Sequence, residues 1–224
     1  MKTSQYLMLA GMATLCIVSC KDEKRYHESS QNHKEEVIFT DTVQKEDFMS
    51  SVKSFRDELN AEYADPERSP LTQDDLAAFS GLEFFPADSA FRVVAKFTRT
   101  PNNETILLPT TTERVSEEVI YGVLDFELQG KPFRLNLYQS LKLMQQEEYK
   151  DYLFLPFSDQ TNGKESYGGG RYLDMRIPEG DTMVIDFNKA YNPYCAYNKK
   201  FSCPLVPKEN TLDVAIPVGV KKFH

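Results

Sequence analysis

Ile120-Tyr-Gly-Val-Leu-Asp-Phe-Glu-Leu-Gln-Gly-Lys-Pro-Phe-Arg-Leu-Asn-Leu137 is the stretch whose reading decides the fold. Ile120, Leu124, Phe126 and Leu128 fall on one face at the period of two that a half-buried strand requires. Gln129-Gly130-Lys131-Pro132 interrupts the run, and Phe133, Leu135 and Leu137 resume it. Two such runs around a glycine-containing turn make a β-hairpin.

Working outward, Phe91, Val93, Ala95 and Phe97 alternate with Arg92, Val94, Lys96 and Thr98, which predicts a strand before the hairpin. Further strands are expected over residues 152–157, 172–177, 182–187 and 212–216. None of them alternates with a helix of useful length, which excludes a doubly wound parallel sheet. The expected fold is mainly β, an antiparallel barrel or sandwich with one or two helices on its N-terminal side. The first helix is predicted over residues 44–63, where Phe48, Val52, Phe55 and Leu59 recur at helical spacing between charged residues. Asp65-Pro66 and Ser69-Pro70 end it. Thr72 then caps a short second helix through Phe79, which Gly81 closes.

Lys2 followed by an apolar run to Val18 has the form of a secretory signal peptide, and the run is too short to span a bilayer as a helix. Ile17-Val-Ser-Cys20 resembles the lipobox of bacterial lipoproteins, which implies cleavage before Cys20 and lipidation of that cysteine, palmitate included. Lys21-Asp-Glu23 is similar to export signals of surface lipoproteins in Bacteroidetes-type bacteria. The expected organisation is a signal peptide over residues 1–19, a flexible charged tether over 20–43 and one globular domain over 44–224. The protein is then anchored in the cell envelope, at the outer membrane, with the membrane as its partner through Cys20.

The chain carries 26 Lys and Arg against 34 Asp and Glu. Loss of Lys2 with the signal peptide takes the formal charge from -8 to -9. Nucleic acid and anionic membrane surfaces select basic faces, so neither is an expected ligand of the domain. With Cys20 lipidated, Cys195 and Cys203 remain as a candidate disulfide in an oxidising compartment, worth about 2.5 kcal/mol of chain entropy. Two cysteines with no nearby histidine fall short of a zinc ligand set, so no metal and no cofactor is expected. Cys195 as a nucleophile would need a base, and His27 and His33 sit in the tether while His224 ends the chain.

Two blocks are polar, aromatic and glycine-rich beyond what strand connections need. One runs from Phe157 through Gly168-Gly-Gly-Arg-Tyr-Leu-Asp174, the other from Asp186-Phe-Asn188 through Ala190-Tyr-Asn-Pro-Tyr-Cys-Ala-Tyr-Asn198 to Cys203-Pro204 and Glu209-Asn210. With Leu82-Glu-Phe-Phe-Pro86, they resemble the family called domain of unknown function 1684, over roughly residues 44–220. That resemblance implies no activity, and Pro217-Val-Gly-Val-Lys-Lys222 departs from the family's Ala-Gly-Glu-Lys ending. The three glycines lack Walker spacing and precede a strand, so a turn needing positive φ is expected rather than a phosphate cradle.

The candidate ligand-binding residues are Asp159, Thr161, Glu165, Tyr167, Arg171, Asp186, Asn188, Asn192 and Asn198. Arg171 is suited to clamp a carboxylate or an anionic ligand group, and Tyr167, Tyr172, Tyr191, Tyr194 and Tyr197 offer stacking faces to a sugar or planar ligand. Three readings compete. In the first, these loops form a pocket for a small molecule or glycan. The second is a hydrolase using a carboxylate pair drawn from Asp159, Glu165 and Asp186. In the third the same residues are loop scaffolding, with Asp159 and Asp186 capping turns and Arg171 satisfying one of them.

Overall fold

The computed structural model describes residues 30–101 and 104–224, with side chains from Asp47 onward. The signal peptide, Cys20, and residues 20–29 of the expected tether lie outside the described residues. The chain falls into two units, Met1–Thr40 and Asp41–His224, and the second carries the fold. Among the described residues no helix is long and apolar enough to cross a membrane.

Helix α1 spans Ser30–Ala64, so it starts at Ser30 rather than Gln44 and takes in residues 30–43 of the expected tether. That segment is charged, but it contains no glycine or proline, and Glu, Lys and Gln are good helix formers. Phe48 and Val52 are buried and Phe55 and Leu59 half-buried, as their spacing predicts. Helix α2, Gln73–Ala78, begins as expected: the Thr72 hydroxyl oxygen accepts the Asp75 N–H. Its last residue is capped by Phe79, and Gly81 beyond it carries φ +132°.

Seven strands follow: β1 Arg92–Arg99, β2 Thr105–Pro109, β3 Val115–Leu128, β4 Lys131–Ser140, β5 Tyr152–Phe157, β6 Arg171–Arg176 and β7 Thr182–Asp186. They form one antiparallel sheet in the order β6-β5-β4-β3-β1-β7, with β2 added to β3. The sheet is curled into a half-barrel, so the mainly β expectation holds. Two local expectations need correction. β2 went unpredicted because Ile106-Leu107-Leu108 does not alternate, and Leu107 remains 59% exposed. Residues 212–216 are not a strand. Leu212, Val214 and Ile216 are buried at the expected period of two, but their backbone bonds run to loop residues, Leu212 N–H to Ser158 O and Gln160 N–H to Val214 O. Periodic burial of one side requires extended backbone, not a ladder.

The hairpin of β3 and β4 contains one irregularity that matters for the site. Ile120 pairs with Tyr138 and Gly122 pairs with Leu137, leaving Tyr121 as the extra residue of a β-bulge. A bulge shifts the alternation by one. Leu124, Phe126 and Leu128 therefore join the main core with Leu135, Leu137, Leu153, Leu155 and Ile185. Ile120 instead packs on the other face with Tyr138, Phe154 and Tyr172. The expectation that Ile120 shares a face with Leu124 fails at this residue. Gly122 is required here, since a Cβ would come within 2.8 Å of Thr98 O.

Candidate functional site

The expected polar cluster is closed. Arg171, fully buried, donates from Nη2 to Asp159 Oδ2 at 2.7 Å and to Ile216 O at 2.7 Å, and from Nη1 to Val218 O. The other carboxylate oxygen of Asp159 accepts the Thr161 N–H at 2.8 Å and the Ile216 N–H at 3.1 Å. Rings of Phe157 and Phe85 flank the guanidinium, with centroids 5.3 and 5.9 Å from its carbon. This pair therefore ties the start of β6 to the C-terminal segment and is fed by backbone groups on both sides.

The neighbouring candidates do similar work. Thr161 is buried and shares a 2.7 Å hydroxyl contact with Ser166, while Glu165 is exposed in the same turn and bonds through its backbone, donating its N–H to Thr161 O and accepting the Lys222 N–H. Gly170, at φ +89°, closes that turn, where a Cβ would lie 2.7 Å from Phe157 O. Asp186 accepts from Asn188 N–H at 3.0 Å and from the Asn188 amide at 2.9 Å. Asn188 pairs with both backbone groups of Asp88. Asn192 donates to Lys221 O at 2.8 Å and Asn198 accepts the Lys200 N–H at 3.2 Å. Asn210 acts as a backbone substitute where β4 and β5 diverge: it bonds Asn136 N–H, Asn136 O and Pro156 O.

The carboxylates proposed as a hydrolytic pair are thus held apart. Asp159 is consumed by Arg171, Glu165 is a solvated turn residue and Asp186 caps a turn. None of the nine candidates lines the large cavity of the domain. What they share is loop fixation, the scaffolding reading of their sequence pattern.

The cavity, of about 1130 Å³, lies on the opposite face of the sheet from the main core. β3, β5 and β6 form one wall, the later turns of α1 another, and the segments at Pro193-Tyr194 and Cys203-Pro204 close one side. Alternation in β5 and β6 sends Tyr152, Phe154, Tyr172 and Asp174 to this face while Leu153, Leu155 and Leu173 enter the core. Asp174 Oδ1 accepts two phenol hydroxyls, from Tyr152 at 2.7 Å and from Tyr191 at 2.6 Å. Burial and the neighbouring carboxylate push both phenols well above the ordinary tyrosine range. Tyr194 donates its hydroxyl to Glu62 of α1 across the same cavity. Of the tyrosines expected as stacking faces, Tyr172, Tyr191 and Tyr194 line it; Tyr167 and Tyr197 do not.

Glu118 is the residue sequence reasoning missed. It is 2% exposed on the cavity side of β3, and Ser116 Oγ donates to its Oε1 at 2.8 Å. Its Oε2 is buried and has no partner. Burial pushes its carboxyl up to about 7, against the opposing pull of the Ser116 hydrogen bond and Arg114. Arg114 lines the same cavity, yet its donors go to Ser202 Oγ at 3.1 Å, Ser202 O at 2.8 Å and Val115 O at 3.3 Å. One signal was available in the sequence: at the strand's period of two, Glu118 falls on the same face as Ile120, where an apolar residue is the ordinary choice.

Cys195 and Cys203 are both free thiols in this structure, so the candidate disulfide is not formed. Cys203 Sγ accepts the Cys195 N–H at 3.3 Å. Hydrogen bonding from Cys203 lowers Cys195 to about 6, and the same contact raises Cys203. Tyr167 lies with its hydroxyl 3.9 Å from Cys195 Sγ. Among the described residues no three His, Cys, Asp or Glu side chains are grouped to hold a metal ion.

Comparison with known proteins places this geometry. A search of curated proteins finds no match. The NMR structure of an uncharacterised protein of Haloarcula marismortui is 32% identical, covers 80% of this chain and 96% of its own, and superposes with a TM-score of 0.63. The family model for proteins of unknown function called DUF1684 matches residues 77–221. That span holds the whole sheet and both polar blocks but leaves α1 outside, so it begins later than the resemblance starting near residue 44 suggested. The chain belongs to the DUF1684 family.

Proposed function

We propose that this protein is a lipid-anchored component of the cell envelope whose domain binds a small molecule in the cavity between the curled sheet and α1. The observation that carries the reading is the cavity itself: about 1130 Å³, aromatic on its walls, with hydroxyls and carboxylates of Tyr152, Tyr191, Asp174 and Glu118 directed at it. Largely apolar concavities with a few placed polar groups are where proteins hold small ligands. The polar loops around Asp159, Arg171, Asp186 and Asn192 support the site from behind by fixing β6 and the segments that follow it.

The anchor rests on the pattern at Ile17-Val-Ser-Cys20. Mass spectrometry of the chain expressed in its native compartment should find Cys20 as an acylated N-terminus, and a Cys20→Ala chain released from the membrane fraction. An unmodified Cys20 would remove the anchor from this reading. For the cavity, a panel of glycans and polar metabolites is titrated against the full chain in nonionic micelles by thermal shift and calorimetry. Binding that Asp174→Asn weakens supports the site; a folded chain that binds nothing in the panel counts against it.

A hydrolase reading, if pursued, belongs to different carboxylates from those the sequence suggested. Glu118, raised to about 7, is matched to proton donation near neutral pH, and Asp174 lines the same cavity. Turnover of an activated glycoside that both Glu118→Gln and Asp174→Asn abolish is the result that reading requires.

A further inference from the structure

Glu118 presents a buried carboxylate oxygen with no partner, at the wall of a cavity large enough to hold a ligand of many atoms. An unpaired buried carboxylate is costly, and proteins ordinarily supply a cation or several N–H donors. Here the cations at hand are directed elsewhere. Arg114 is tied to Ser202 and Val115, and Arg68 donates to Asp65 at 2.7 Å. The chain thus holds a carboxyl group in place and leaves one of its oxygens without a partner.

The rest of the cavity agrees on the sign of the missing partner. Its lining acids are Glu58, Glu62, Glu117, Glu118 and Asp174, against Arg68, Arg114 and Lys142. Low-dielectric walls focus such an excess on whatever enters. The rings of Tyr152, Phe154 and Tyr191 line the same cavity, and a ring quadrupole attracts a cation held within about 6 Å of its centroid. A neutral polyhydroxyl ligand can donate a hydroxyl to Glu118, as Ser116 does, but brings no charge to offset the ionised carboxylate.

We infer that the cavity takes an organic cation, a small molecule bearing an ammonium or guanidinium group, with Glu118 as its counter-charge and the tyrosine wall as its cradle. This rests on the cavity being the binding site. Lys142, exposed two residues beyond β4, lines the same cavity, and its charge opposes the entry of a cation.

The test is calorimetric titration of the full chain in polyoxyethylene micelles at pH 8. The probes are choline, its uncharged isostere 3,3-dimethylbutan-1-ol, agmatine, and methyl glucoside. Choline or agmatine should bind at least about tenfold more tightly than the neutral isostere. Glu118→Gln, isosteric and checked for folding by circular dichroism, should remove that preference, and Lys142→Ala should keep or strengthen it. Equal binding of choline and its isostere, or cation binding indifferent to Glu118→Gln, overturns the inference. If methyl glucoside binds and neither cation does, the cavity remains a ligand site and only the cation assignment falls. If a folded chain binds none of the four, both fall for these ligand classes.

Discussion

Asp159 and Glu118 are both carboxylates withdrawn from water, at 7% and 2% exposure, and the fold treats them in opposite ways. Asp159 meets a guanidinium and two backbone N–H groups and does not line the cavity. Its partner Arg171 keeps one unpaired atom, Nε, but that atom faces packed protein rather than the cavity. Glu118, whose side chain lines the cavity, receives one hydroxyl, and its second oxygen is buried without a partner. The polar block thus turns most of its bonds on the chain itself, with Arg171 Nε and Asn192 Oδ1 left over, whereas Glu118, beside Glu117 in β3, keeps a whole carboxylate oxygen without a partner. Buried polar groups cost least when every bond is made, which is why loop signatures are rich in Asp, Asn and Arg without being sites.

The contrast can be broken most directly at Asp159. Removing one partner of a buried ion pair strands the other, so Asp159→Asn or Arg171→Met should cost about 3–5 kcal/mol, read by denaturant unfolding. A cost under about 1 kcal/mol would mean the pair is not what fixes these loops.

Glu118→Gln should act with the opposite sign. Its folded pKa is raised from 4.5 to about 7, so burial of the ionised form is a full penalty above pH 7 and disappears as pH falls toward 4.5. At pH 8 the amide should stabilise the chain by up to about 3 kcal/mol, and at pH 4 by nothing. Equal effects at both pH values would show that ionisation is not the cause.

Two smaller changes sharpen the comparison. Tyr191→Phe removes one hydroxyl from Asp174 and should cost about 1 kcal/mol of stability while weakening any ligand held by that carboxylate. Arg134→Ala breaks a bidentate pair with Asp125 on the exposed side of the hairpin, whose arginine side chain is 70% exposed. That loss should be the smallest of these and shrink with added salt.

The strands of the hairpin, β1 and the capped α2 were legible because each is a local pattern: a period of two, a turn, a hydroxyl three residues before its donor. β2 and residues 212–216 were not, because pairing partners are set by distant chain. The cavity was not legible for a related reason. Tyr152, Asp174 and Tyr191 converge on one oxygen from three separate elements, and no spacing announces it. Asp159 and Arg171 did prove adjacent, as the notion of a clamp required, but what Arg171 clamps is the chain itself.

The extra residue at Tyr121 has a consequence for reading relatives of this chain. It works as a frameshift in a two-letter code: below it the even-numbered residues face the cavity, above it they face the core. Two chains that differ by this one residue can present the same cavity wall on opposite parities. A gap placed before Glu118 instead of at the bulge would compare it with a side chain from the opposite face. The position of that gap, more than overall identity, decides whether the acid at the cavity wall is recognised as shared.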